Sequence, residues 1–196
     1  MTLHVINCLQ KNLLASIGAK EQLLNNPEVL YQFERAVGMV IDRYKSGGRL
    51  YIAGNGGSAA DAQHLAAEFV SRLAKDRAPL AAEALTVDSS IITAIGNDYG
   101  YESVFSRQLE GKATRKDIFL GITTSGRSIN ILRALESCRE LGIPSIVFCG
   151  GDGGDAIRKA DCTVVAPGAA TSTIQELHIV LAHTLCECVE QSIFGN

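Results

Sequence analysis

Apolar residues recur along the first quarter of the chain at the spacing of one helix face. Leu13, Leu14, Ile17 and Leu24 make a first run. "NNPEVL" interrupts it, with Asn26 suited to an N-cap and Pro27 to the first helical position. Leu30, Phe33, Ala36, Val37, Val40, Ile41 and Tyr44 make a second run, which "SGG" ends. Beyond Gly48 the rhythm changes to short continuous apolar runs separated by helical periods. "RLYIAG" (49–54), "AAEALTV" (81–87), "DIFLGIT" (117–123), "PSIVFCG" (144–150) and "CTVVAP" (162–167) read as strands. Runs that are apolar throughout suit strands covered on both faces. Helical patterns fill 58–74, 88–97, 101–113, 128–142, 153–160 and 172–194. This alternation predicts an α/β fold, a three-layer sandwich on a five-stranded parallel sheet, with an N-terminal helical pair. No linker, repeat or low-complexity segment divides the chain. A single domain over 1–196 is expected, with the pair at 1–46 packing on the sheet or on a neighbouring subunit.

Composition narrows the setting. A formal net charge of −3 gives no general attraction to nucleic acid or to anionic membranes. No stretch approaches the roughly 18 apolar residues of a membrane span, and the N-terminus lacks a signal-peptide pattern. A soluble, cytoplasmic protein is expected. In that compartment the six cysteines read as buried or half-buried free thiols rather than a disulfide framework.

In open α/β sheets ligands bind beyond the carboxyl ends of the strands, so the turns there carry the candidate chemistry. Two of them are alike: "GNGGSAAD" after the first strand and "TTSGRSIN" after the third. Glycine lets backbone approach an anion, and a helix N-terminus offers N–H groups and partial positive charge. The hydroxyls of Ser58, Thr123, Thr124, Ser125 and Ser128 add neutral donors. A phosphate monoester suits the pair, while ordinary strand–helix turns with serine caps remain the alternative. Neither turn is a Walker loop. "GNGGSA" departs from the dinucleotide fingerprint, and no acidic residue ends a second strand nearby.

His64 and Glu68 stand one turn apart on the helix after the first turn, on one face. Their neighbours are mostly Ala, Leu, Phe and Val, so two ionisable groups there need partners. The closing helix carries Gln175, Glu176, His178 and His183 among apolar residues. Gln175 and His183 are separated by about 12 Å along the axis.

"GNGGSAADAQH", "AAE", "AIGNDYGYESVFSRQ", "TTSGRS" and "IQELHIVLAH", in this order along nearly the whole chain, resemble the sugar isomerase (SIS) domain family. Within it they look like the bacterial phosphoheptose isomerases. The resemblance implies an SIS-type, flavodoxin-like fold and an aldose–ketose isomerase. Such an enzyme would convert sedoheptulose 7-phosphate to D-glycero-manno-heptose 7-phosphate through an enediol. It implies phosphate contacts at Ser58, Thr123, Thr124, Ser125 and Ser128, in the glycine turn of Gly56 and Gly57. It implies sugar contacts at Asn55, Asn97 and Asp98, and further substrate contacts at Arg72 and Gln175. Glu68 and His183 fall on the catalytic positions. His64, Glu68, Gln175 and His183 fall on those that bind one zinc per active site in some members. Ser172 stands where some relatives carry an acidic residue, so no carboxylate role transfers there. The family also implies a small phosphosugar substrate and a homotetramer with interfacial active sites. Either Gln175 and His183 lean together or one helix comes from a neighbouring subunit, and the tetramer that the resemblance implies fits the second.

The chemistry agrees with this set. Moving hydrogen between adjacent carbons needs a base, and moving one between oxygens needs an acid. Glu68 is the expected base and His183 the expected shuttle. Two competing readings stay open, an isomerase of another phosphosugar and a non-catalytic SIS protein binding the replication initiator. In the latter branch the catalytic glutamate is commonly replaced, whereas Glu68 is present here. The activated heptose would serve cell-surface glycans.

Overall fold

In the computed structural model, which describes residues 2–195, the two N-terminal runs form helices α1 (Thr2–Leu24) and α2 (Pro27–Lys45). Asn26 caps α2 by accepting from the Val29 N–H, with Pro27 in the first turn. The apolar runs become five parallel strands: β1 (Leu50–Gly54), β2 (Ala82–Ala84), β3 (Ile118–Thr123), β4 (Ser145–Gly150) and β5 (Cys162–Ala166). Between and after them lie α3 (Gly57–Val70), α4 (Ser89–Tyr99), α5 (Ser106–Lys112), α6 (Ile129–Leu141) and α7 (Thr171–Phe194).

Side chains alternate across each strand and build two cores. Leu50, Ile52, Ile118, Leu120, Ile122, Ile146 and Phe148 meet residues of α2, α3 and α7. Tyr51, Ala53, Phe119, Val147 and Cys149 meet residues of α5 and α6 on the other face. This is the expected three-layer sandwich. The strand order is β2-β1-β3-β4-β5. The chain leaves β1 toward β2 and returns on the other side of β1 to make β3. The carboxyl ends of β1 and β3 therefore lie side by side at the topological switch point, where such sheets bind ligands.

Four elements are shorter or different from their sequence patterns. The helix expected over 58–74 stops at Val70, because the Arg77 guanidinium takes the carbonyls of Glu68 and Phe69. The helix expected over 101–113 splits into a 3-10 turn (Tyr101–Ser103) and α5. Val104 and Phe105, which lie between the two, are both buried. The helix expected over 153–160 is a 3-10 turn (Gly154–Arg158), whose Ala156 N–H bonds the Gly126 carbonyl across the sheet end. The strand expected over 81–87 pairs only over Ala82–Ala84, at the sheet edge, before Asp88 caps α4.

Two surfaces remain apolar. Val5, Ile6, Leu9, Leu13, Leu14, Ile17 and Leu24 of α1 stay 46–71% exposed. Helix α4 buries none of its residues, although it carries Ile91, Ile92 and Ile95.

Candidate active site

The first turn is built by close approach. A Cβ at Gly54 would lie 2.4 Å from the Ser58 carbonyl oxygen, so the start of α3 packs directly on the end of β1. Gly56 turns the chain at φ +55°, a conformation L side chains rarely adopt. Ser58 is buried at the head of α3. In the second turn Thr123 Oγ1 and Ser128 Oγ are 2.9 Å apart. Thr124 follows half-buried and Ser125 exposed, its hydroxyl accepting from the Arg127 N–H at 3.2 Å. Neither Gly56 nor Ser128 caps its helix with a side chain; the Ser58 and Ala59 N–H groups bond the Asn55 and Gly56 carbonyls, and a helix N-terminus still favours negative charge beyond it.

A carboxamide pair ties the two turns together. Asn55 Nδ2 donates to Asn130 Oδ1 at 2.9 Å, and Asn130 Nδ2 returns a bond to Asn55 Oδ1 at 2.8 Å. The Ile131 N–H donates to Asn130 Oδ1, which fixes the way that buried amide points. The Tyr101 hydroxyl also donates to Asn55 Oδ1, at 3.1 Å. No role was expected for Asn130 or Tyr101, although "TTSGRSIN" ends at Asn130 and "AIGNDYGYESVFSRQ" contains Tyr101.

Further along α3, His64 Nε2 lies 3.1 Å from Glu68 Oε1 and 3.4 Å from His183 Nε2 of α7. The imidazole planes meet edge to face with centroids 4.9 Å apart. One ring nitrogen thus faces a carboxylate oxygen and a second ring nitrogen. All three ligand atoms lie within 4.8 Å of one another. A shared proton or a cation satisfies such a convergence. Two imidazole nitrogens and one carboxylate oxygen, with a position left open, also match the donor set of a catalytic zinc. Asp61, one turn before His64, holds Oδ2 buried with no partner among the described residues. Burial lifts its carboxyl above the usual range, and His64 draws it partly back.

The other residues named from sequence make the following contacts. Gln175 lies against the head of α3: a Cβ at Gly57 would come within 2.5 Å of its Nε2. That is two turns before His64. Arg72 follows the end of α3 and pairs with Asp76 at 3.7 Å on the surface. Asn97 donates to Asp98 at 2.7 Å on the exposed face of α4. Asp98 lines a depression with Ile95, Arg107 and Lys112.

A buried ion pair closes the far end of α3. Arg77 Nε and Nη2 each lie 2.8 Å from Glu190 Oε1 of α7, and both side chains are at most 4% exposed. Burial pushes the Glu190 carboxyl up, but the Leu73 N–H and the Arg77 guanidinium outweigh it and hold it below its usual value. Sequence spacing gave no signal for a pair so far apart along the chain.

The SIS domain profile matches residues 25–150. The chain belongs to the SIS domain family. Among SIS proteins it is 48% identical over 188 residues to the phosphoheptose isomerase of Aneurinibacillus thermoaerophilus, covering 96% of this chain and 95% of that one. It is 48% identical to phosphoheptose isomerase 2 of Campylobacter jejuni, covering 92% and 90%. The structure of the phosphoheptose isomerase from Neisseria gonorrhoeae superposes with a TM-score of 0.89 at 35% identity, covering 95% of this chain and 99% of that one. The fold expected from sequence, an SIS-type parallel sheet, is the fold observed.

Proposed function

We propose that this protein is a phosphoheptose isomerase acting on sedoheptulose 7-phosphate. The observation that carries the reading is the meeting of His64 and Glu68, on the helix that begins in the first glycine turn, with His183 of α7. The heads of α3 and α6, with Ser58, Thr123, Thr124, Ser125 and Ser128, hold the phosphate. Asn55, fixed by Asn130, contacts the sugar, and Gln175 extends this contact surface beside Gly57. Glu68 takes the proton from the carbon beside the carbonyl and returns it to the neighbouring carbon. His183 carries a proton between the two oxygens. His64, Glu68 and His183 would hold one zinc ion, which polarises the carbonyl and stabilises the enediolate when bound.

The protein works as one SIS unit over its 196 residues, in the cytoplasm, as a homotetramer with active sites at subunit interfaces. Arg72, Asn97 and Asp98 then complete the site of a neighbouring subunit. No described helix is long and apolar enough to cross a membrane, which accords with this setting. The product would enter activated heptose for cell-surface glycans. A non-catalytic role in binding the replication initiator is disfavoured by the assembled Glu68–His64–His183 cluster. The test is incubation with sedoheptulose 7-phosphate, following aldose formation with and without a chelator. Turnover that chelator removes and zinc restores supports both isomerase and metal. No turnover in any arm overturns the reading.

A further inference from the structure

We propose that Arg77 and Glu190 are positioning residues that set the spacing between Glu68 on α3 and His183 on α7. The proposal rests on the isomerase reading above. Glu68 and His183 belong to different helices and must keep one separation to act on the same carbon–oxygen pair. Their helices run side by side: Gln175 abuts Gly57, His183 meets His64, and Glu190 meets the chain just past the end of α3. Glu190 follows His183 by seven residues, about two turns, on the same side of α7.

The Arg77 guanidinium spends its donors on this junction. Nη2 donates to the carbonyl of Glu68 itself at 2.8 Å, and Nη1 to that of Phe69 at 2.6 Å. Nη1 also reaches the Ser71 and Ala78 carbonyls, at 3.3 and 3.1 Å. Nε and Nη2 hold Glu190, whose Oε1 also accepts from the Leu73 N–H. One planar cation thus grips the backbone of Glu68 and a carboxylate of α7 at once. Only the fork of arginine spans both. Replacing both partners by apolar side chains leaves no lone buried charge, while the backbone groups that Arg77 and Glu190 held lose their partners, so Tm is read beside kcat. The phosphate turns lie at the opposite end of α3, about 20 Å away. Loosening the clasp should therefore change turnover and leave substrate capture alone.

The test replaces both partners, Arg77→Met with Glu190→Leu, in the full chain. Expected results are a retained fold, kcat lower by about 10–100-fold, and KM for sedoheptulose 7-phosphate within about twofold of wild type. Titration of the metal-stripped chain with Co2+ alone, read by its visible absorption, should give about 10-fold or more weaker binding than wild type. If the double variant does not fold, Arg77→Lys carries the test. Its ammonium can pair with Glu190 but cannot also hold Glu68, so the same loss of kcat at constant KM is expected. A folded variant with wild-type kcat overturns the proposal. So does a loss of kcat and a rise of KM that only track a lowered Tm. Wild-type protein inert toward the sugar phosphate refutes the functional reading itself, whereas an active wild type beside an equally active variant refutes the clasp alone.

Discussion

Glu68, the proposed base, is half-buried, one turn from His64 and within reach of the α7 histidine. Glu68→Gln keeps size and hydrogen bonding but removes the basic oxygen. The variant should fold with unchanged Tm and lose about 10²–10⁴-fold in kcat, read by aldose formation. Near-normal turnover would take Glu68 out of the mechanism. His178 gives a separate prediction, on stability. It is fully buried, with Nε2 donating to the Cys149 carbonyl at 3.0 Å and Nδ1 without a partner. Burial lowers its pKa from 6.5, opposed by that backbone bond. The folded protein thus keeps the ring neutral while the unfolded chain takes up a proton. Stability should hold above pH about 6.5 and fall as pH drops below it. His178→Gln should lose this component of the slope, seen as a flatter dependence of Tm between pH 7 and 5. An identical slope in the variant would assign the acid sensitivity to other groups.

At the scale of elements, the junction of β1 with α3 is closely packed. Gly54→Ala would drive a methyl into the Ser58 carbonyl, 2.4 Å away, and displace the head of α3. The expected result is a loss on the order of 1–3 kcal/mol in stability, with a KM at least tenfold higher. An unchanged KM would show that the first turn does not hold the phosphate. This junction was legible before any coordinates. Short apolar runs marked the strands, and the repeated glycine–hydroxyl turns marked the switch point, because both signals are local. The end of α3 was not legible. Residues 71–74 keep a helical composition, and only a guanidinium paired with a carboxylate 113 positions on stops the helix at Val70. The same holds for Tyr101 and Asn130, whose contacts with Asn55 depend on which turns the sheet brings together. Resemblance supplied Gln175 as a companion of His183, and its seat beside Gly57 depends on how α7 lies along α3.

At the scale of the molecule, the exposed faces and the scattered site residues point the same way. Ile6, Leu9, Leu13 and Ile17 line one side of α1 and remain about half exposed. Such a stripe on a long helix is a surface for association. Arg72, Asn97 and Asp98 are exposed and make only surface contacts with near neighbours, and the resemblance implies substrate contacts for all three. A neighbouring copy docked through α1 reconciles the two observations if it carries these residues to the site. Leu13→Glu with Ile17→Glu places two charges in that stripe without touching the sheet, Glu68 or either phosphate turn. Sedimentation should shift the protein from the proposed tetramer to smaller species while circular dichroism at low temperature stays the same. Turnover should fall at least tenfold and recover in part at high protein concentration, as mass action restores the interface. A dispersed variant with full activity would place the entire site within one chain, and Arg72, Asn97 and Asp98 would then lose their assignment to substrate.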